Sequence, residues 1–185
     1  MVEWKIDTDH TAAEFSVRHM MITTVRGNLK NVTGTLIFDP DVPEESRVEA
    51  AIDTTTIHTG TAERDAHLRS ADFLWVDHYP TLYFRSTSVV PGATRSRAKV
   101  NGELTIRDVT RKVTMDVEFL GEDISPWGDR RIGFTATTYI NREDFGLTWN
   151  QKLASGNWLV DREVKITLDV QAVMVTEAMS EQASG

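Results

Sequence analysis

The chain has no cysteine. That excludes a disulfide framework, thiolate zinc sites and a cysteine nucleophile. Positive charge is also short: 20 Lys and Arg stand against 28 Asp and Glu, a formal charge of -8. Nucleic acid and anionic membrane surfaces reward clustered cations, so this scattered, acidic pattern argues against either as a main partner. The densest basic cluster, Arg95-Ser96-Arg97 with Lys99, adjoins Pro91-Gly92 and reads as a solvated turn. Long apolar runs are missing too. No stretch approaches the roughly 18 residues of a transmembrane candidate, and Met1 to Asp7 lacks the apolar core of a secretory signal. The expectation is a cytoplasmic chain without stable membrane insertion, or a periplasmic one if a signal has been removed.

Recognisable catalytic motifs are absent as well. There is no G-x-S-x-G, no phosphate-binding P-loop and no G-x-G-x-x-G. His10, His19, His58, His67 and His78 include no pair one helical turn apart, so no metal site is expected. A chain of 185 residues buries about two thirds of its unfolded surface and needs neither metal nor disulfide for stability. One domain is expected over 1–175, with a polar, disordered tail over 176–185.

What dominates is alternation with period two, which separates the two faces of a strand. Phe15, Val17 and His19 form one such face, followed by Val32, Gly34, Leu36 and Phe38, then Val48, Ala50 and Ile52. Leu82, Phe84, Ser86 and Ser88 come next, then Ala98, Val100, Gly102, Leu104 and Ile106. The series continues with Val113, Met115, Val117 and Phe119, then Ile132, Phe134, Ala136, Thr138 and Ile140. It closes with Val164, Ile166, Leu168, Val170 and Ala172. The intervening residues are mostly polar. Eight such segments without alternating helices predict an all-β, extended, eight-stranded antiparallel barrel, which removes exposed sheet edges. The exception is Thr59 to Phe73, where a short helix over about 61–73 is expected. Thr61 would be its N-cap and Ala62, Ala66, Leu68 and Phe73 a narrow apolar stripe.

The inner face is unusual in its small residues: Gly34, Ala50, Ser86, Ser88, Ala98, Gly102, Ala136 and Ala172. A barrel of this size is either filled or holds one ligand. Small residues on so many strands favour a cavity, although sharp strand bends are a rival explanation for them. The expected lumen comprises Phe15, Val17, His19, Leu36, Phe38, Ile52, Leu82, Phe84, Val100, Gly102, Leu104, Met115, Val117, Phe134, Ala136, Ile166 and Leu168. His19 faces inward either as a hydrogen-bonded core histidine or as a polar contact for a ligand head group. Arg64-Asp65 and Arg142-x-Asp144 offer guanidinium clamps for a phosphate. The weightier reading of both is local salt bridging and capping. Trp127, Trp149 and Trp158 either frame a mouth or cap the core.

Several motifs in order carry a resemblance. They begin with Trp4-Lys5-Ile6-Asp7, Asp9-His10-Thr11, Phe15-Ser16-Val17-Arg18-His19-Met20 and Val25-Arg26-Gly27. Ile57-His58-Thr59-Gly60, Arg64-Asp65-Ala66-His67-Leu68, Ser70-Ala71-Asp72-Phe73, Tyr79-Pro80-Thr81 and Phe84-Arg85-Ser86 follow. Val100-Asn101-Gly102-Glu103-Leu104-Thr105-Ile106, Asp108-Val109-Thr110 and Ile140-Asn141-Arg142-Glu143-Asp144-Phe145-Gly146-Leu147 complete them. Together they resemble the YceI-like family from about residue 4 to 173. The resemblance implies a lipocalin-like barrel whose pore holds a polyisoprenoid, such as an isoprenoid quinone or prenyl pyrophosphate. It implies no catalytic residue and no required cofactor beyond the bound lipid, and a homodimer is expected. Fatty-acid or fatty-amide binding, or an enzyme acting on a prenyl substrate, are the alternatives.

Overall fold

The computed structural model describes residues 1–176 and 179. The expected tail over 176–185 lies, apart from Thr176 and Met179, outside the described residues. The strands are β1 (Val2–Ile6), β2 (Ala12–His19), β3 (Thr23–Phe38), β4 (Arg47–His58), β5 (Thr81–Pro91), β6 (Arg97–Ile106), β7 (Val109–Ile124), β8 (Arg130–Asn141) and β9 (Val160–Met174). One helix, α1 (Ala62–Arg69), lies between β4 and β5.

Nine strands make a ring of eight positions because β1 and β2 share one. Both pair with β3, through Trp4↔Leu36 and Ala13↔Leu29. Both also pair with β9, through Trp4↔Met174 and Ala13↔Leu168. Every other strand pairs antiparallel with its neighbour in sequence, and the barrel closes. The break between β1 and β2 is built by Asp7. Its carboxylate accepts from the Asp9 backbone N–H at 3.1 Å and from Arg131 Nη1 at 2.6 Å, and meets the His10 ring at 2.9 Å. A 3₁₀ turn over Thr8–His10 results. The segment Val2–Ile6 was too short to show as a strand by alternation, but its partners on both sides make it one.

The meander gives the barrel two distinct ends. At the helix end lie the β2–β3, β4–β5, β6–β7 and β8–β9 connections. At the far end lie the β3–β4, β5–β6 and β7–β8 connections. β3 contains 16 residues. At ~3.3 Å per residue and a tilt near 40°, it spans roughly 40 Å along the barrel axis. The outer wall is held by charged pairs that sit opposite one another in register. Lys99 meets Asp116 at 2.7 Å, Arg85 meets Glu103 at 3.4 Å, and Arg97 meets Glu118 at 3.5 Å.

Two apolar clusters form in the interior. The larger lies toward the helix end and includes Val32, Ile57, Leu104, Ile106 and Phe145. The smaller, at the far end, joins Trp4, Phe38, Ile132 and Ala172 to Phe119 and Phe134. The rings of Phe38, Phe119 and Phe134 meet at centroid distances of 5.1 to 5.3 Å. These are edge and tilted arrangements favoured by the ring quadrupole.

Local expectations needed correction at four places. The helix is shorter than 61–73, and Ala62 and Ala66 are exposed, so no apolar stripe forms. Its buried face carries Asp65 instead. Thr61 occupies the N-cap position without a side-chain cap. Ser88 points outward because a bulge between Ser86 and Ser88 shifts the register against β6, and Val89 takes the inward place. Gly34 and Gly102 do not leave open space. A side chain at Gly34 would strike the backbone of Glu49, and one at Gly102 would strike the ring of Phe84. Both glycines permit close approach across the sheet.

Candidate functional site

The inward faces of the strands enclose a cavity of about 950 Å³. That is several times the ~150 Å³ void that accommodates one benzene. Its wall is mainly aliphatic and aromatic. Phe15, Val17, Leu36, Phe38, Ile52, Leu82, Phe84, Val100 and Leu104 line it, as do Met115, Val117, Phe134, Ala136, Ile166 and Leu168. Of the expected lumen residues only Gly102 is off the wall, covered by Phe84. Ala50, Ala98 and Ala136 are the small residues that do border the space. Ser86 is spent on the sheet, where its Oγ accepts from the Val48 N–H at 2.9 Å. Ala172 is wholly buried in the far-end cluster.

Several polar residues line the cavity at the helix end. His19, on β2, is half-buried on the wall, and its ring has no hydrogen-bond partner among the described residues. Arg64, on α1, donates from Nε to Thr59 Oγ1 at 2.7 Å and from Nη2 to the Thr59 carbonyl at 2.9 Å. Thr59 Oγ1 in turn donates to Asp65 Oδ1 at 2.5 Å, so Arg64 and Asp65 are linked through Thr59 rather than paired directly. Arg64 is on the cavity lining, and its Nη1 makes no hydrogen bond among the described residues. Burial acts to raise the Asp65 carboxyl. The Thr59 hydrogen bonds and the charges of His58 and Arg69 outweigh it and hold the group below the usual carboxylate range.

Arg142 proves to be structural. It is 3 % exposed and donates to the carbonyls of Asp161, Leu147, Trp149 and Val160 at 2.6 to 3.2 Å. Asp144 is exposed and takes no part. Burial lowers the guanidinium from the ordinary arginine value, against the opposite pull of Glu143 and Asp161. With four carbonyls on its donors, Arg142 ties the β8–β9 loop to the barrel. Arg142 also lines the cavity, but with its donors on carbonyls it fits the local structural reading, the weightier one from the sequence.

His67 was not singled out as a site residue from the sequence. It lines the cavity, bonds Asp72 Oδ2 at 2.9 Å, and packs edge-on against Phe73 and Trp149. Trp149 thereby borders the lumen, whereas Trp127 and Trp158 are exposed. No group of three or more His, Cys, Asp or Glu among the described residues is arranged to hold a metal ion.

The model of the YceI-like domain matches residues 4–172. This chain belongs to the YceI-like family. The YceI protein of Salmonella newport is 35 % identical over 173 residues, covering 92 % of this YceI-like chain and 86 % of that protein. Among solved structures, BcnA of Burkholderia cenocepacia aligns with a TM-score of 0.78 at 19 % identity, over 90 % of this chain and 98 % of the other. A polyisoprenoid binding domain from Saccharophagus degradans aligns with a TM-score of 0.68 at 13 % identity, over 95 % and 100 %. These likenesses show the shared barrel. Among the described residues no helix is long and apolar enough to cross a membrane.

Proposed function

We propose that this YceI-like protein binds one long apolar lipid, a polyisoprenoid, along the barrel axis and carries, stores or sequesters it. The observation that carries the reading is the cavity of about 950 Å³ with a mainly aliphatic and aromatic wall. Apolar burial stabilises such a ligand by about 25 cal/mol per Å² removed from water, less the cost of ordering a flexible chain. Specificity then comes from chain length and from the few polar groups at the mouth. Arg64 and His19 are the head-group candidates. The polyisoprenoid-binding neighbour supports the same ligand class.

An enzymatic reading is weaker. The cavity presents His67 with its Asp72 partner, but no cysteine or lysine lines the wall, and the lining serines, Ser46 and Ser96, belong to the connections at the opposite end from His67. Solvent extraction of the purified protein followed by mass spectrometry tests the proposal. An isoprenoid quinone or prenyl phosphate at close to one per chain is expected. A barrel that carries no lipid and takes up none from added polyprenol overturns it. Recovery of fatty acids or amides instead keeps the cavity and corrects the ligand class.

A further inference from the structure

The hairpin between β2 and β3 places three apolar residues in water. Met20, Met21 and Ile22 are 39 %, 54 % and 71 % exposed. Its backbone is strained. Met20 and Met21 have φ of 54° and 59°, and the Ile22 N–H bonds the His19 carbonyl at 3.1 Å. That is the pattern of a type I′ turn, whose central positions favour Asn-Gly and disfavour bulky L residues. Keeping two methionines there works against stability, and such strain points to a use for the side chains. Arg18 steadies the turn by donating to the Met21 carbonyl at 3.0 Å and to Thr24 Oγ1 at 3.2 Å.

The tip adjoins the cavity. Arg18 and His19 immediately before it lie on the wall, as do Leu159 and Val160 on the neighbouring segment. The Met20 N–H bonds the Leu159 carbonyl at 2.7 Å, and the residue before Leu159 is Trp158, 53 % exposed. A second apolar hairpin, with Ile124 and Trp127, stands at the opposite end, but no residue from 120 to 133 touches the cavity. At that end the cavity rim is polar, with Asp41, Arg47, Thr94, Arg95 and Arg97.

From this we infer that Met20, Met21, Ile22 and Trp158 form a docking tip that dips into the surface of a lipid bilayer and passes the apolar chain directly between bilayer and barrel. The inference rests on the lipid-binding reading of the cavity. A second copy of the chain is the weaker occupant. The four partly exposed side chains stand on a convex tip and fall well short of the ~800 Å² each partner of a stable complex buries. Apolar side chains and an indole suit the membrane interface, where an amphipathic ring has one dry and one wet side. The charges around the tip are mixed, Arg18, Lys152 and Arg162 against Asp161 and Glu163, so docking depends on apolar insertion rather than on anionic lipid.

The test uses the full chain and a fluorescent polyprenol in phosphatidylcholine vesicles. Uptake from vesicles is compared with loading from ethanol solution, for the wild type and for M20N/M21G, I22S and W127S. M20N/M21G gives the turn its preferred residues, so its denaturation midpoint should rise while its uptake from vesicles slows about tenfold. I22S should slow uptake less, and W127S should not change it. Loading from ethanol should be equal in all. Uptake should persist with the same rate in 0.5 M NaCl, a concentration chosen so that the Debye length falls to roughly 4 Å. Equal vesicle rates for wild type and M20N/M21G, with normal ethanol loading, overturn the docking tip alone. Failure to load by either route overturns the cavity reading and the docking with it. A dimer by light scattering that M20N/M21G converts to monomer, with vesicle uptake unchanged, assigns the tip to a second copy and overturns the membrane.

Discussion

The two ends of the barrel are closed by different physics. At the helix end, buried charged side chains hold irregular backbone: Arg142 takes four carbonyls, and Asp65 takes the N–H and hydroxyl of Thr59. At the far end, three phenylalanine rings pack beneath mostly exposed connections, in which Asp39 and Asp129 are half-buried and Trp127 stands in water. Loops without ladder partners must satisfy their polar groups elsewhere. A buried guanidinium does this for many carbonyls at once, and it fixes the geometry of the loop. The far-end connections satisfy theirs by short local bonds, as where Ser125 Oγ donates to Asp129 Oδ1 at 2.7 Å and the Asp41 N–H donates to Asp39 Oδ1 at 3.0 Å. The lesson is that a barrel of this kind can anchor one end through buried charges and the other through packed rings and short local bonds.

Stability should break at the helix end first. Arg142→Met removes the donors from four carbonyls in a buried site, and a loss of about 3–5 kcal/mol is expected by chemical denaturation. Arg95→Met at the far end should shift stability by no more than ~0.5 kcal/mol. Equal losses at the two ends would erase the distinction.

Asp65→Asn follows. It weakens hydrogen bonds to a charged acceptor and should cost about 2 kcal/mol at neutral pH. The sign of its pH dependence is set by the lowered folded value of Asp65. Its stabilisation is complete above the unfolded carboxyl value near 3.9 and disappears as pH falls through the folded value. The stability difference between wild type and Asp65→Asn should therefore shrink below about pH 4. A difference that stays constant down to pH 2 would show that the charge of Asp65 does not matter.

This contrast also marks what could be read from the sequence. The wall alternates, so its inward residues followed from periodicity alone. The same periodicity failed wherever a bulge changed phase, as at Ser88, or where a missing side chain was compensated by a neighbour, as at Gly102 beneath Phe84. β1 escaped notice because its five residues gain their identity from partners at Leu36 and Met174, far away in the chain. The ends were less legible still. A buried arginine bonded to carbonyls from four different residues has no local pattern, and Arg142 looked like any motif charge. His67 reaches the cavity because the turn after α1 brings Asp72 and Phe73 back against it, a contact that spacing does not announce.

Midway between the ends, Ala136→Phe tests whether the space is used. Ala136 lies on the cavity wall, opposite Val117 on β7 and Leu168 on β9. If the lumen is free for ligand, a larger side chain there should sharply reduce bound lipid and change stability by less than ~1 kcal/mol. A filled interior would instead be overpacked, at a cost of about 1–3 kcal/mol. Measuring bound lipid by mass spectrometry beside the denaturation midpoint separates the two. Unchanged lipid with a large stability loss would place the ligand elsewhere. Thr105→Val, on the outer face, should alter neither.

The smallest expected effect decides which end recognises the head group. Arg64 lines the cavity at the helix end, and its Nε and Nη2 are already anchored by Thr59, which leaves Nη1 for a ligand. An anchored guanidinium loses little freedom when a phosphate arrives, whereas the exposed Arg95 must give up its own. Arg64→Ala should therefore weaken a prenyl phosphate by about 1 kcal/mol, roughly fivefold, since solvent reaches the mouth and screens the pair. An uncharged prenol should bind with unchanged affinity, because its burial along the wall does not involve Arg64. Competition between the two lipids, read as a ratio for wild type and variant, removes any general effect on the barrel. His19→Phe should lower the same ratio less, because one imidazole N–H replaces the paired donors of a guanidinium. Arg95→Ala should leave the ratio alone. If Arg95→Ala shifts the ratio and Arg64→Ala does not, the head group lies at the far end, and the comparison of the two ends reverses.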